Sequence, residues 1–193
     1  MNSPDIHTDR LVLRCLTVDD TEWITKGISN PAVHRWLTSP PHPFHLKDAE
    51  DFVALAANDP SARAICLGGD LLGVISLKRD LGYWLKEAAW GNGVISEAIF
   101  GLLDHHFAHG GGPVRSGWIK GNSASESALR KAGFSDAGEE LQFSCFHGRK
   151  IKVERVTLDD RSGLAGPPRS RGIDFGKLPY IESPRLRTRP LTT

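Results

Sequence analysis

The spacing of apolar residues changes clearly within residues 81–107. Residues 81–85 are LGYWL, a short apolar and aromatic run that predicts a buried strand. Beyond residue 93 the apolar side chains recur at helical spacing, which predicts an amphipathic helix with Ile95, Ala98, Ile99, Leu102 and Leu103 on one face. A turn made of Trp90, Gly91, Asn92 and Gly93 separates the two elements. The rest of the chain is organised around this strand, turn and helix.

The glycine turn predicts an anion site at the start of this helix. Gly91 and Gly93 have no Cβ, so the backbone can take a positive φ and come close to a ligand. The first N–H groups of a helix have no partner within it and lie at the positive end of its dipole. A phosphate group suits such a place, although a glycine turn can also serve only to cap a helix. The turn has neither the Gly-Lys-Ser/Thr of the Walker pattern nor the third glycine of the dinucleotide fingerprint.

A second informative segment covers residues 114–134. Residues 114–119 predict a strand, and a helix follows that begins near Asn122 and ends at Gly133. Asn122 and Ser125 are three residues apart and therefore share one helix face. An amide and a hydroxyl at that point can bind an extended ligand and contact a thiol. The alternative is that both side chains only cap the helix.

The remaining pattern predicts an α+β protein. Strands are expected at residues 6–16, 62–67 and 71–77, and the last two are joined by a glycine hairpin. Short helices are expected near residues 22–27 and 31–36, and a longer one at 48–57. An antiparallel meander that leads into a strand–helix–strand unit is typical of the α+β class.

Taken together, these segments resemble the GNAT superfamily of acyl-CoA-dependent N-acetyltransferases, and most closely its ribosomal-protein (Rim-type) branch. The likeness rests on four motifs in order: TDRLVLR at 8–14, GYWL at 82–85, WGNG with Glu97-Ala98 from 90, and Asn122-x-x-Ser125 through residue 134. The resemblance implies a GNAT-type three-layer fold over residues 1–160. Its mixed, mostly antiparallel central sheet would have about six or seven strands, with helices on both faces.

The resemblance also implies a reaction. Acetyl-CoA would be the cosubstrate, with no metal, and the acetyl group would pass directly to a primary amine in a ternary complex. The acceptor would be a protein N-terminus or a small-molecule amine. The CoA pyrophosphate would lie at the glycine turn and the pantetheine arm along the strand that ends at Leu85. The cofactor contacts implied are Trp84, Leu85, Trp90, Gly91, Asn92, Gly93, Val94, Asn122 and Ser125.

The chain departs from the family pattern at several positions. Many members have Arg or Gln three residues before the first glycine of the turn, where this chain has Ala88. The common catalytic tyrosine of the superfamily would fall at Leu129, which cannot donate a proton. By the Rim-type resemblance, Ser125 is then the acid for the leaving thiolate, with Asn122 close to the thioester.

The general base stays unassigned from the sequence. Some Rim-type members have a glutamate base at the position of Ser144. His42 and His45 lie on a proline-rich loop, in the region that lines the acceptor groove in the family, and either can act near neutral pH. The alternative is that both are simply solvated loop histidines. Glu97 recurs in the family but is not expected to be the base.

Composition narrows the function further. A chain of 193 residues with 39% hydrophobic content is large enough for one domain, and a net charge of +1 argues against direct nucleic-acid binding and anionic-membrane capture. With no apolar run of about 18 residues and no signal peptide, we expect a cytoplasmic protein. The three cysteines are scattered along the chain, which is typical of a protein in a reducing compartment. Their spacing also predicts no structural zinc site. His105 and His109 have metal-ligand spacing but no third ligand nearby in sequence.

The chain changes character after the predicted domain. Residues 161–180 have the Gly, Pro and Arg content of a linker. Residues 181–192 repeat residues 6–17 with identity at Ile181, Arg185, Leu186, Arg189, Leu191 and Thr192, six positions where chance gives about one. We expect that this tail (181–193) adds a strand to a sheet edge, in its own chain or in a homodimer partner, or that it is a disordered remnant.

Two other functions remain open from the sequence. The chain can be an acyl-CoA-binding protein with weak or no catalysis, because it lacks the tyrosine and an identified base. It can instead be a scaffold that binds a partner through its C-terminal strand. Family likeness alone does not identify the acceptor.

Overall fold

The computed structural model of the protein describes residues 4–57 and 61–166. Its first sheet has five antiparallel strands in chain order: β1 (Ile6–His7), β2 (Val12–Cys15), β3 (Ala62–Leu67), β4 (Asp70–Leu77) and β5 (Leu81–Leu85). A second sheet has three antiparallel strands in the order β6 (Val114–Ile119), β8 (Arg149–Leu158) and β7 (Ser135–Ser144). The helices are α1 (Thr21–Ser29), α2 (Pro31–His34), α3 (Leu46–Ala57), α4 (Val94–Ala108) and α5 (Ser123–Ala132).

The predicted α+β architecture is confirmed, with the strands divided between two sheets. The expected central sheet is interrupted between β5 and β6, which are neighbours but form no ladder with one another. At the start of the two strands the Ser116 hydroxyl donates to the Leu81 carbonyl oxygen at 2.8 Å. Beyond this contact the pair leaves a gap, called here the interstrand gap.

The expected single strand over residues 6–16 is instead a tight hairpin. Ile6 pairs with Leu13, and the chain turns where the Thr8 N–H donates to the Leu11 carbonyl at 3.0 Å. The Thr8 hydroxyl accepts a bond from the Leu11 N–H at 2.9 Å and donates to Glu97. The polar residues of the TDR motif therefore interrupt the alternation that predicted one long strand.

Apolar side chains from the two faces of the first sheet form separate cores. On one face Leu13, Ile65 and Ile75 pack with Ile99 and Leu103 of α4, and this core extends to Leu129 of α5. On the other face α1 and α3 pack over the strands, and the residues that line this second core include Ile24, Val53, Ala64, Val74 and Trp84. Burying a side chain of this size stabilises the fold by about 2 kcal/mol. The helices thus cover both faces, as predicted.

The segment of residues 30–37 spans the interstrand gap. Asn30 caps α2 by accepting from the Ala32 N–H at 2.9 Å, and its amide donates to Glu87, just after β5, at 3.1 Å. At the other end of the segment, Trp36 packs against Ile119 of β6 and Val153 of β8. This segment is therefore fixed to both sheets.

The described part of the predicted linker packs onto the domain. Arg161 pairs with Asp104 of α4 at 2.6 Å, and the Ala165 N–H donates to the Ala132 carbonyl at 3.1 Å. The rest of the linker and the tail (181–193) lie outside the described residues. Within the described ranges, no helix combines the length and apolarity required to cross a bilayer.

Candidate active site

The glycine turn has the backbone conformation that its sequence predicts. Gly91 has φ +76° and Gly93 has φ +71°, values that L side chains rarely adopt. The Gly93 carbonyl accepts the Glu97 N–H at 3.1 Å, so α4 begins directly after it. A Cβ placed on Gly91 would meet no described atom within 4 Å, so the turn has open space beside it. This shape fits a phosphate group.

A buried ion pair supports the turn from behind. Glu97, only 5% exposed, accepts from the Arg10 Nε–H at 2.6 Å, the Arg10 backbone N–H at 2.7 Å and the Thr8 hydroxyl at 2.6 Å. The Arg10 guanidinium also donates to the Asn92 carbonyl at 3.4 Å. Glu97 thus holds Arg10 in place. Arg10 adds positive charge next to the turn.

The backbone N–H and C=O groups of every second residue of β5 point towards the interstrand gap. The Lys86 N–H donates to the Leu72 carbonyl at 2.8 Å, so alternation along the ladder turns the backbone groups of Trp84 towards β4. The groups of Leu81, Tyr83 and Leu85 then face the gap. Two carbonyls on this edge have partners, Leu81 with Ser116 and Leu85 with the Trp90 indole N–H at 3.1 Å. The Tyr83 backbone and the Leu85 N–H face the place where an extended amide chain can pair.

Two hydroxyl groups meet in the gap. The Tyr83 Oη lies 2.8 Å from the Ser125 Oγ, and Asn122 caps α5 by accepting the Ser125 N–H at 3.1 Å. Burial raises the pKa of Tyr83 to about 12, although the bond with Ser125 acts in the opposite direction. The phenol therefore stays protonated at neutral pH. Ser125 lies beside a neutral phenol that can donate to it.

The sequence reasoning missed Tyr83 as a site residue. At the position of the family's tyrosine, Leu129 is fully buried in the core. The tyrosine hydroxyl beside Ser125 comes from β5 instead, 42 residues earlier in the chain. A signal was present, because successive side chains of a strand point to opposite faces, so Tyr83 had to point away from the core that buries Trp84.

The structure gives Trp84 a different place from the one the resemblance implied. Its indole is 8% exposed and packs in the core beneath α1, with its ring centroid 5.6 Å from that of Trp23. A Cβ on Gly27 would approach that ring to 2.5 Å, which shows how closely α1 covers it. Its backbone also faces β4. Trp84 is therefore a core residue rather than a cofactor contact.

The remaining expected cofactor residues lie at the end of β5, on the glycine turn and at the starts of α4 and α5. Trp90 is 41% exposed, and its carbonyl accepts from the Asn92 amide at 3.0 Å, which closes the turn. Val94 is buried at the first position of α4, so only its backbone can meet a ligand. The Trp90–Leu85 bond thus joins the turn to β5, and the Tyr83–Ser125 contact joins β5 to the start of α5.

The candidate bases differ in their surroundings. Ser144 is fully buried, and its Oγ lies 3.0 Å from His147 Nδ1, so it serves as a hydrogen-bond partner. His42 has its Nδ1 3.4 Å from that of the buried His34. His45 is exposed, and its backbone N–H donates to Asp48.

His105 and His109, at the end of α4, lie against one another. The His105 and His109 rings stack with centroids 4.1 Å apart. Across residues 4–57 and 61–166, no group of three or more His, Cys, Asp or Glu side chains is placed to hold a metal ion.

Solved acetyltransferase structures resemble this fold. RimL, the ribosomal L7/L12 α-N-protein acetyltransferase, in complex with coenzyme A, has a TM-score of 0.71 at 20% identity, over 81% of this chain and 98% of that one. The ribosomal-protein-S5-alanine acetyltransferase from Vibrio fischeri has a TM-score of 0.69 at 16% identity, over 82% of this chain and 98% of that one. The microcin C7 self-immunity acetyltransferase MccE, in complex with acetyl-CoA and AMP, has a TM-score of 0.66 at 17% identity, over 78% of this chain and 93% of that one.

Sequence comparison completes the assignment. No curated protein matches this chain significantly. The family model for the acetyltransferase (GNAT) domain matches residues 10–135, more than half of the chain, and covers both the glycine turn and α5. The chain belongs to the GNAT family of acetyltransferases.

Proposed function

We propose that this protein is an acetyl-CoA-dependent N-acetyltransferase that moves the acetyl group directly to a primary amine in a ternary complex. The observation that carries the proposal is the interstrand gap, with an open glycine turn after β5 and the Tyr83–Ser125 hydroxyl pair at its wall. RimL and MccE, which share the fold, were solved with coenzyme A and acetyl-CoA.

Acetyl-CoA would bind along the gap as an extended substrate. The N–H groups of residues 91–94 would bind the pyrophosphate, with the Arg10 charge behind them. The pantetheine amides would pair with the Tyr83 backbone on the free edge of β5. The Leu85 N–H would polarise the thioester carbonyl, and Asn122 would lie near the thioester.

Ser125 would act as the acid in this reaction. The neutral amine attacks the thioester carbon, the C–N bond forms, and the C–S bond then breaks. The Ser125 hydroxyl gives its proton to the departing thiolate, while the protonated Tyr83 phenol donates to the Ser125 oxygen and stabilises it. The proton lost from the amine nitrogen on collapse restores Ser125. Cys66 is buried, and burial raises the pKa of its thiol, so it is a poor nucleophile for a covalent alternative.

A protein N-terminus is the first acceptor to test. RimL and the Vibrio fischeri enzyme are named for ribosomal-protein acceptors, and MccE for self-immunity to a microcin. We therefore test protein N-termini first and small-molecule amines in parallel. We place the reaction in the cytoplasm, where Cys15, Cys66 and Cys145 would remain free thiols.

Product mass tests the function directly. The protein is incubated with acetyl-CoA and peptides that begin with free alanine or serine, and a polyamine and an aminoglycoside are tested in parallel. The expected result is one acetyl group on the α-amine of a peptide, with none on the same peptide blocked at its N-terminus. Binding of acetyl-CoA without product on any amine would favour an acyl-CoA-binding protein. Absence of binding would favour a scaffold.

We also propose that the tail (181–193) can add a strand to the domain of a second copy. The identities of the repeat fall on residues with defined contacts in the first copy: buried Ile6, Leu11 and Leu16, Arg10 on Glu97, and Arg14 and Thr17 on Asp20. β1, the edge strand of the first sheet, offers a place for an added strand. Removing residues 167–193 would then convert a dimer to a monomer in light scattering. An unchanged mass would contradict the exchange.

A further inference from the structure

A backbone carbonyl and two imidazoles form a chain from the interior to the surface. The His34 Nε2 lies 3.4 Å from the Pro40 carbonyl oxygen, and the His34 Nδ1 lies 3.4 Å from the His42 Nδ1. His34 is 1% exposed, whereas His42 is exposed. Hydrogen bonds of this length are common in catalytic sites without substrate and tighten when the complex forms. The chain therefore ends in one accessible ring.

The contacts among Pro40, His34 and His42 determine which ring nitrogens carry hydrogen. A carbonyl oxygen only accepts, so the His34 Nε2 must be the donor to Pro40. Burial lowers the pKa of His34 and the neighbouring charge of His42 lowers it further, although the bond to Pro40 raises it. A neutral His34 then has a lone pair on Nδ1, which accepts the His42 Nδ1–H. That leaves the lone pair of a neutral His42 on Nε2.

The same rings contact Phe146, close in sequence to Ser144, where the Rim-type resemblance implies the base. The Phe146 ring centroid is 5.4 Å from that of His34 and 4.9 Å from that of His42. Phe146 follows Ser144 by two residues on the β7–β8 turn. The Ser144 hydroxyl is buried against His147 and is far too weak a base to take a proton from an ammonium group. The contacts of Phe146 thus bring imidazoles to this place.

The location also suits an incoming amine. His34 ends α2, which belongs to the segment (30–37) that spans the interstrand gap from Glu87 to Ile119. The proline-rich loop that carries His42 continues directly from this segment. His42 therefore lies on a loop that starts at the segment linking the two sheets.

We propose that His42 is the general base of the acetyl transfer and that His34 is its positioning residue. This inference rests on the proposed acetyltransferase function. The acceptor arrives as an ammonium ion, and the His42 Nε2 takes one of its protons, which frees the nitrogen lone pair to form the C–N bond. The imidazolium keeps its Nδ1–H bond to His34 and later releases the proton to water. The second nitrogen proton and the thiolate are handled by Ser125, so protons balance.

The tautomers can be measured without an acceptor. Long-range ¹H–¹⁵N NMR of histidine side chains in the full chain should show His34 with hydrogen on Nε2. It should show neutral His42 with hydrogen on Nδ1, with assignments from His34→Phe and His42→Gln. The opposite tautomer on His42, or a charged His34 at neutral pH, would overturn the positioning role.

Kinetics with a matched control test the base. On whichever probe the wild type acetylates, an alanine- or serine-initiated peptide or the polyamine, His42→Gln should lower kcat/KM about 100-fold at neutral pH. The loss should shrink as the pH approaches the pKa of the amine. His45→Gln, on the same loop, should change kcat/KM less than about twofold. Equal effects of the two variants would overturn the assignment.

The positioning role of His34 needs its own readout. His34→Phe should lower kcat about tenfold and shift the base limb of the pH–rate profile, while binding of acetyl-CoA stays unchanged. The titratable rings that contact the same aromatic cluster are His34, His42 and His147, so His147→Gln is measured in the same series. A profile that moves only in His147→Gln would assign the base to that residue instead. No turnover by the wild type on any amine would overturn the acetyltransferase function itself.

Discussion

The Tyr83 hydroxyl on β5 and the Ser125 hydroxyl on α5 lie 2.8 Å apart, although 42 residues separate them in the chain. The tyrosine is half-buried, and burial raises its pKa to about 12, so it stays protonated at physiological pH. The Ser125 backbone N–H also donates to the side-chain oxygen of Asn122, which caps α5, at 3.1 Å. A serine that can donate a proton and be stabilised by a phenol can fill the role that Leu129 cannot.

Removing either hydroxyl should therefore slow the reaction more than it weakens binding. We expect Ser125→Ala to lower kcat about 100-fold and Tyr83→Phe about tenfold, with the Kd for acetyl-CoA changed less than about threefold. Steady-state kinetics and calorimetry measure the two quantities. Ser127→Ala, on an exposed position of the same helix, should leave kcat unchanged. A kcat in Ser125→Ala equal to that of the wild type would contradict the acid role.

The Arg10–Glu97 pair connects stability with the glycine turn. Glu97→Gln would leave a largely buried guanidinium, 14% exposed, without its carboxylate, so we expect a loss of about 2–4 kcal/mol in the free energy of unfolding. The affinity for acetyl-CoA should fall as well, because Arg10 also bonds to the Asn92 carbonyl. Urea unfolding and calorimetry give both values. Glu126→Gln, at an exposed site on α5, should change neither, and intact affinity in Glu97→Gln would show that the turn stands without the pair.

Asp20 should control stability in acid. Burial raises the pKa of its carboxyl, but bonds from Arg14 and Trp23 and from the Thr17 backbone outweigh burial and leave the pKa below its usual value. The stabilisation is then complete above about pH 4, the usual pKa of Asp, and is lost as the pH falls through the lowered pKa.

The matched variant isolates this contribution. Asp20→Asn should lose about 2–4 kcal/mol at pH 7 and flatten the acid limb of the unfolding curve. Asp51→Asn, in the exposed pair with Lys47, should leave the free energy of unfolding nearly unchanged. If Asp20→Asn loses stability at acid pH as steeply as the wild type does, another carboxylate is responsible for the acid dependence.

His34 should give a second dependence of stability on pH, which arises from burial of a base rather than from hydrogen bonds to a carboxylate. Its pKa is lowered by burial, so the unfolded chain binds a proton that the folded chain does not. Stability should therefore fall as the pH drops below about 6.5, the usual histidine value. Thermal unfolding of His34→Phe should lose this slope between about pH 6.5 and 5. A slope that persists in the variant would place the effect elsewhere.

Local features of the fold were predictable because they depend on neighbouring residues. The glycines at 91 and 93 require a positive φ, and Asn122 and Gly133 bound α5 through cap chemistry. The strands at residues 62–67 and 81–85 have the predicted bounds.

Relationships between distant residues were not predictable in the same way. Tyr83 meets Ser125, and Arg10 meets Glu97, only because β5, α4 and α5 pack together in the folded chain. The division into two sheets follows from the pairing partners of β5 and β6, which hydrophobic spacing does not encode. The sequence left His42 and His45 equivalent, and the contacts of His42 with His34 and Phe146 in the folded protein distinguish them.

Calorimetric titration of acetyl-CoA into the wild type, Gly91→Glu and Gly91→Ala tests the central claim most directly. Both substitutions strain a backbone at φ +76°, but only glutamate adds a bulky negative charge at the proposed pyrophosphate site. We predict saturable binding to the wild type, a moderate loss in Gly91→Ala and no detectable binding in Gly91→Glu. Absence of binding to the wild type, or equal affinity for all three proteins, would contradict the proposed acetyl-CoA site.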